Sequence, residues 1–130
     1  SKGGEKGLWL SRSEAGDNRL VICESAIDAL SHATLFPAGT TRYASLGGQM
    51  NKKQPALLTA MLHKLPTGAE IIAATDNDDD GLRYANTLKE LLTDSARDDL
   101  RFVMQRPHDA KDWNKVLQER QSYSPPYCHI

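Results

Sequence analysis

Apolar residues in this chain gather into short unbroken runs separated by longer stretches in which they are spaced. Leu20, Val21, Ile22 and Cys23 form one run, and Ile71, Ile72, Ala73, Ala74 and Thr75 form another. Runs that are short and apolar at every position mark strands buried on both faces of a sheet. Residues 43–46 and 100–104 read as two further strands, and residues 7–11 as a short one. The stretches between them carry helical spacing. A helix is expected from Ser25 to about Leu35, with Ile27 and Leu30 as its larger apolar positions, stopped by Pro37 and Gly39. Leu57, Leu58, Met61, Leu62 and Leu65 fall on one face of a second helix, which Pro66 and Gly68 close. Leu82, Ala85, Leu88, Leu91 and Leu92 make the stripe of a third, and Trp113, Val116 and Leu117 mark a last one.

Strand and helix therefore alternate along the chain, which predicts an α/β fold of Rossmann-like type: a mainly parallel central sheet with helices on both faces. Residues 1–19 are expected to be a lead-in containing the short strand, residues 20–121 the folded domain, and residues 122–130 a loose tail. In open parallel sheets ligands bind beyond the carboxyl ends of the strands. Glu24 stands there after the first buried run, Ser45 to Gly48 after the second, and Asp76 to Gly81 after the third.

Charge sharpens this picture. The net charge of −1 divides into +3 over residues 1–69, −6 over residues 70–99 and +2 over residues 100–130. An acidic centre between mildly basic flanks is a poor coat for nucleic acid and a good source of a concentrated carboxylate site. No apolar stretch approaches the roughly 18 residues of a membrane span, and no secretory signal opens the chain. The two cysteines, Cys23 and Cys128, have neither disulfide-framework nor zinc spacing. A cytoplasmic protein is expected. The start at Ser1 without Met points to a piece of a longer chain.

Taken singly, Glu24 and Asp28 are acids at a helix start, which the helix dipole alone favours. The run Asp76-Asn77-Asp78-Asp79-Asp80-Gly81 is harder to explain so, because like charges about 4 Å apart repel by roughly 4 kcal/mol at an effective dielectric of 20. A solvated acidic loop is one reading. Asp76 pinned by a strand end, with Asp78 on the same side, is the other, and gives two hard oxygen ligands for Mg²⁺. A calcium loop would need a bidentate Glu at its twelfth position, where Thr87 stands. A phosphatase of the haloacid-dehalogenase type also places D-x-D after an apolar strand, but there the motif opens the domain. The histidines His32, His63, His108 and His129 lack metal-ligand spacing and suit surface or loop roles, Cys23 suits the core, and Trp9 and Trp113 suit packing.

Taken together, Leu20 to Glu24 with Asp28, Ser45-Leu46-Gly47-Gly48, and Asp76-x-Asp78-x-x-Gly81 resemble the TOPRIM domain shared by bacterial-type primases, topoisomerases and several nucleases. The segment Lys111-Asp112-Trp113-Asn114 is similar to that family's last acidic motif, and the nearest likeness is to the primase-like branch of plasmid and mobile-element proteins. The resemblance implies Glu24 as general acid or base and Asp76 and Asp78 as the metal pair, with Asp28 and Asp112 as further acids around Mg²⁺ or Mn²⁺. It implies a nucleotidyl-transfer or phosphodiester reaction on DNA, with nucleotides and an RNA primer reached through a primase-like or mobilisation parent protein. Ser45, Gly47, Gly48, Arg83 and Lys111 are candidates for phosphate contact, with Lys52, Lys53 and Arg106 beside them. Three features depart from the family pattern: Ser25 replaces the usual Gly after the Glu, Asn114 stands where primases tend to have a second Asp, and Pro107 lies one residue farther from its acid than in typical primases. The rival reading is a non-catalytic, metal-containing module that docks nucleic acid or a partner.

Overall fold

A computed structural model describes residues 9–11, 16–37, 39–46 and 54–122. The element order is β1 (Trp9–Leu10), β2 (Arg19–Cys23), α1 (Ala26–Leu35), β3 (Thr41–Ser45), α2 (Gln54–Lys64), β4 (Glu70–Ala73), α3 (Asp79–Asp94), β5 (Arg101–Met104) and α4 (Trp113–Ser122). The five strands lie in the order β1-β3-β2-β4-β5. Four of them run parallel, with Leu20 between Arg42 and Ile71 and with Ala73 between Ile22 and Met104, while β1 pairs antiparallel with β3 at one edge. This is the α/β, Rossmann-like arrangement that the alternation of patterns predicts.

The strand runs are apolar at every position because the sheet has a core on each face. Leu20, Ile22, Ile71 and Ala73 pack with Leu58 and Leu62 of α2 and Ala85 and Leu88 of α3. Their neighbours Val21, Cys23, Ile72 and Ala74 point the other way, onto Ala29 and Leu35 of α1 and Trp113 of α4. The first crossover, through α1, carries the chain from β2 to β3, and the crossover through α3 carries it from β4 to β5 on the opposite face and in the opposite direction. The two diverge from the gap between β2 and β4. That gap is the switch point at which such sheets bind ligands.

Local chemistry fixes the two helix starts that flank this gap. Ser25 caps α1, its Oγ accepting from the Asp28 N–H at 3.2 Å. Asp78 caps α3, its Oδ1 accepting from the Gly81 N–H at 2.6 Å. The turn is closed further by Thr75 Oγ1 donating to the Gly81 carbonyl at 2.7 Å. Gly81 is required by close approach: a Cβ there would sit 1.9 Å from the Asp76 carbonyl oxygen.

Three expectations need correction. Ile27 and Leu30 are 57% and 58% exposed, and α1 instead buries Asp28, Ala29, Ser31, His32 and Leu35. Leu57, expected in the α2 stripe, and Leu82, expected in that of α3, are also exposed. His32, expected at the surface or in a loop, is buried, its Nδ1 2.8 Å from the Tyr43 hydroxyl and its Nε2 2.9 Å from Gln105 Oε1. Helix α3 begins at Asp79, so Thr87 lies well inside a helix and a twelve-residue calcium loop is excluded. Cys23 and Trp113 are core residues, as expected. His129, Cys128 and most of the expected tail lie outside the described residues, as do the side chain of Trp9 and residues 47–53 with Gly47, Gly48, Lys52 and Lys53.

Candidate metal centre

The carboxyl ends of β2 and β4 set two acids side by side. Glu24 follows β2 and is buried. Its Oε2 accepts from the Asp76 backbone N–H at 2.6 Å, just past β4. Two further acids come from helix starts on the α1/α4 face. Asp28 stands in the first turn of α1, where its Oδ2 accepts from Ser25 Oγ at 2.9 Å and its Oδ1 from the Asn114 N–H at 3.1 Å. Asp112 immediately precedes α4 and caps it, accepting from the Lys115 N–H at 2.8 Å.

Asp28, Asp76 and Asp112 converge. Each offers a carboxylate oxygen, and these oxygens all lie within 4.8 Å of one another. Asp76 Oδ1 is buried with no hydrogen-bond partner. Burial, followed by the charges of Glu24, Asp28, Asp112 and Asp78, pushes the Asp76 carboxyl up to about 8. Burial also raises Glu24, partly offset by its bond from Asp76, and raises Asp28, partly offset by its bonds from Asn114 and Ser25. Cys23 beneath them is pushed up by burial and by the same acids, so its thiol stays protonated. An array of hard oxygen donors with an orphaned buried oxygen suits a hard divalent cation.

Asp78 lies outside this triad, its Oδ1 accepting from the Gly81 N–H, although its charge still reaches Asp76 and Glu24. Its Oδ2 lies 4.0 Å from Lys111 Nζ. The Lys111 carbonyl accepts from the Asn77 N–H at 2.7 Å, tying the segment before α4 to the acidic turn. Arg106 approaches the same turn, its guanidinium 3.5 Å from the Asp78 carbonyl and 3.5 Å from Asn77 Oδ1. Arg83 is exposed, paired to Asp80 at 2.7 Å and set over the Tyr84 ring. Ser45 is paired in register with Cys23, and its buried Oγ has no hydrogen-bond partner.

A family model described as Toprim-like matches residues 21–117, most of the chain and all of the acids just described. The chain belongs to the Toprim-like family. No curated protein matches it significantly. TOPRIM domains are metal-binding modules of nucleotidyl-transfer and nuclease proteins, and they act on nucleic acids. The acidic triad of this TOPRIM domain, with Asp28 buried and Asp76 and Asp112 half-buried, sits where a divalent cation can be held. Among the described residues no helix is long and apolar enough to cross a membrane.

Sequence reasoning missed how Asp28 and Asp112 are held. The spacing Ser25-x-x-Asp28 is a capping-box signal that announces the Ser25 cap. The Asn114 contact runs through its backbone N–H, so residue type at 114 carries no trace of it.

Proposed function

We propose that this TOPRIM domain is the catalytic module of a Mg²⁺-dependent nucleotidyl-transfer or phosphodiester reaction on DNA, within a primase-like or plasmid-mobilisation protein of the cytoplasm. The observation that carries the proposal is the convergence of Asp28, Asp76 and Asp112 at the β2/β4 switch point, with Asp76 Oδ1 buried and unpartnered. These three residues would hold the cation, with Asp78 beside them. When bound, Mg²⁺ (or Mn²⁺) supplies positive charge to a phosphate oxygen as bonds to phosphorus exchange.

The chain's own residues do the rest. Glu24 keeps Oε2 on the Asp76 N–H, which orients Oε1 to take a proton from an attacking hydroxyl or return one to a leaving oxygen. Arg106 and Lys111, on the segment that closes over the acidic turn, suit the remaining phosphate oxygens. Ser45, at the end of β3, would approach the same phosphate from the β3 side, and Gly47 and Gly48, which follow it in the sequence, are the further candidates for phosphate contact. Arg83 is already paired to Asp80 and would have to exchange that partner to join them.

The test compares Glu24→Gln with wild type in the full-length parent protein, supplied with a single-stranded DNA template and nucleotides. A loss of turnover of about 10²- to 10⁴-fold, with Mg²⁺ affinity retained, supports acid–base work by Glu24. Metal binding with no metal-dependent chemistry on nucleic acid in either protein establishes the non-catalytic docking module instead. A covalent aspartyl-phosphate on Asp76 would establish the phosphatase reading.

A further inference from the structure

The third acid of the centre raises a mechanical question. Glu24 and Asp76 follow strands held on both sides, and Asp28 sits inside a helical turn. Asp112 has neither support: it ends a segment, residues 105–112, without regular structure. Yet its carboxylate reaches the other two across the fold.

We propose that Trp113 is the positioning residue that holds Asp112 in the metal centre, acting through the hydrogen bond from its indole N–H to the Ala74 carbonyl. The inference rests on the metal-binding reading above. Trp113 is 4% exposed, its ring edge-on to His32 and Phe36 at centroid distances of 5.0 Å and 5.5 Å. Its Nε1 donates to the Ala74 oxygen at 3.0 Å. Ala74 lies two residues before Asp76, so the indole ties the residue after Asp112 to the strand end that carries Asp76. The next residue, Asn114, donates its N–H to Asp28 Oδ1. The first turn of α4 is thus fastened to both partners of Asp112, with Ser31 Oγ also donating to Asn114 Oδ1 at 3.4 Å and the Asn77 N–H to the Lys111 carbonyl at 2.7 Å, and the indole is the side chain that ties it to the strand leading into Asp76.

The test is a double-mutant cycle on the Mn²⁺ affinity of the domain, read by electron paramagnetic resonance of free Mn²⁺. Trp113→Phe keeps an aromatic ring at the site, with less volume, and removes the N–H; 3-benzothienylalanine, which keeps the bicyclic shape, separates the two losses. The Phe variant is expected to weaken Mn²⁺ binding by about three- to tenfold, the effect of one lost buried hydrogen bond. Asp112→Asn should weaken binding in the wild-type background and by less than twofold in the Trp113→Phe background, because the two changes remove the same ligand. If Trp113→Phe does not fold, 3-benzothienylalanine at position 113 in a Trp9→Phe background keeps the ring shape, lacks the N–H, and is expected to show the same loss and the same non-additivity.

A variant that is folded by circular dichroism and has lower thermal stability but unchanged Mn²⁺ affinity would overturn the inference, reducing Trp113 to a core residue. So would losses that add independently. Wild type that binds no Mn²⁺ at all would overturn the underlying metal reading and this inference together, and is told apart by needing no variant.

Discussion

The backbone N–H of Asp76 donates to Glu24 Oε2 at 2.6 Å, so the acid at the end of β2 fixes the strand end that carries the acid of β4. One side chain therefore serves both the architecture and the chemistry. The two substitutions Glu24→Gln and Glu24→Ala separate these roles. Gln retains a carbonyl oxygen for the Asp76 N–H and removes a buried charge that its surroundings disfavour. Its stability is expected to equal or exceed that of wild type. Ala leaves the N–H without its partner, and urea unfolding should show it less stable than the Gln variant by about 1–3 kcal/mol.

Gly81→Ala tests the turn between the acids. The added Cβ meets backbone 1.9 Å away, at the Asp76 carbonyl, and no side-chain rotation relieves it. The turn must open, at a cost of about 1–3 kcal/mol, and Asp76 moves with it. Denaturant midpoints should fall, and Mn²⁺ affinity should fall with them. Ala on the exposed side of the same helix, at Asn86, is expected to lower neither.

These two relationships differ in how far the sequence shows them. The runs at Leu20 and Ile71 are legible because a strand covered on both faces must be apolar at every position. Position-by-position reading then puts Glu24 and Asp76 at the same sheet edge, and the resemblance of motifs adds Asp28 and Asp112. The orientation of α1 is not legible in this way. Its buried face is made of Asp28, Ala29, Ser31, His32 and Leu35, while the large apolar residues Ile27 and Leu30 face outwards, so the hydrophobic positions in its first half mislead about its orientation. Part of that face is polar because it meets α4 through bonds such as that from the Asn114 N–H to Asp28. Partners that remote leave no periodicity. For the same reason periodicity gives no sign of the convergence of Asp76 with Asp28 and Asp112, which only the resemblance suggests, and the commitment of Asp78 to capping α3 emerges only when the chain is folded.

His32 supplies a pH dependence away from the acids. Gln105 Oε1 can only accept, so Nε2 carries the proton and Nδ1 receives the Tyr43 hydroxyl. Burial, with a further push from Arg19, lowers the His32 pKa below its ordinary 6.5, against an opposing pull from Gln105. The unfolded chain therefore takes up a proton at a pH where the folded chain does not. Stability from this group is full above about 6.5 and is lost as pH falls from there towards the folded value. Because the raised acids titrate in both proteins, the readout is the difference: between pH 7.5 and pH 5.5 the urea midpoint of wild type should fall relative to that of His32→Gln, which cannot titrate at this position. Equal slopes for the two proteins would show that His32 is not the group responsible.

The Asp76 carboxyl predicts opposite effects of pH with and without metal. Its folded pKa of about 8 stands above the ordinary carboxylate value, so the folded protein holds a proton that the unfolded chain has released. In the absence of metal the stabilising contribution is full below about 4 and is lost as pH rises through about 8. Asp76→Asn removes that titration. Relative to wild type, its apo form should gain stability as pH rises from 6 to 9. A divalent cation must displace the proton, so its affinity for wild type should tighten over the same range. At ten times the dissociation constant it adds about 1.4 kcal/mol, a melting shift of very roughly 5 °C for a domain of this size. The Asn variant should lose most of that shift. Melting curves at pH 6, 7.5 and 9, with and without Mg²⁺ at constant ionic strength, measure all of these terms together. A wild-type Mg²⁺ shift that is the same at every pH would remove Asp76 from the set of ligands, and a shift that survives Asp76→Asn would do so independently.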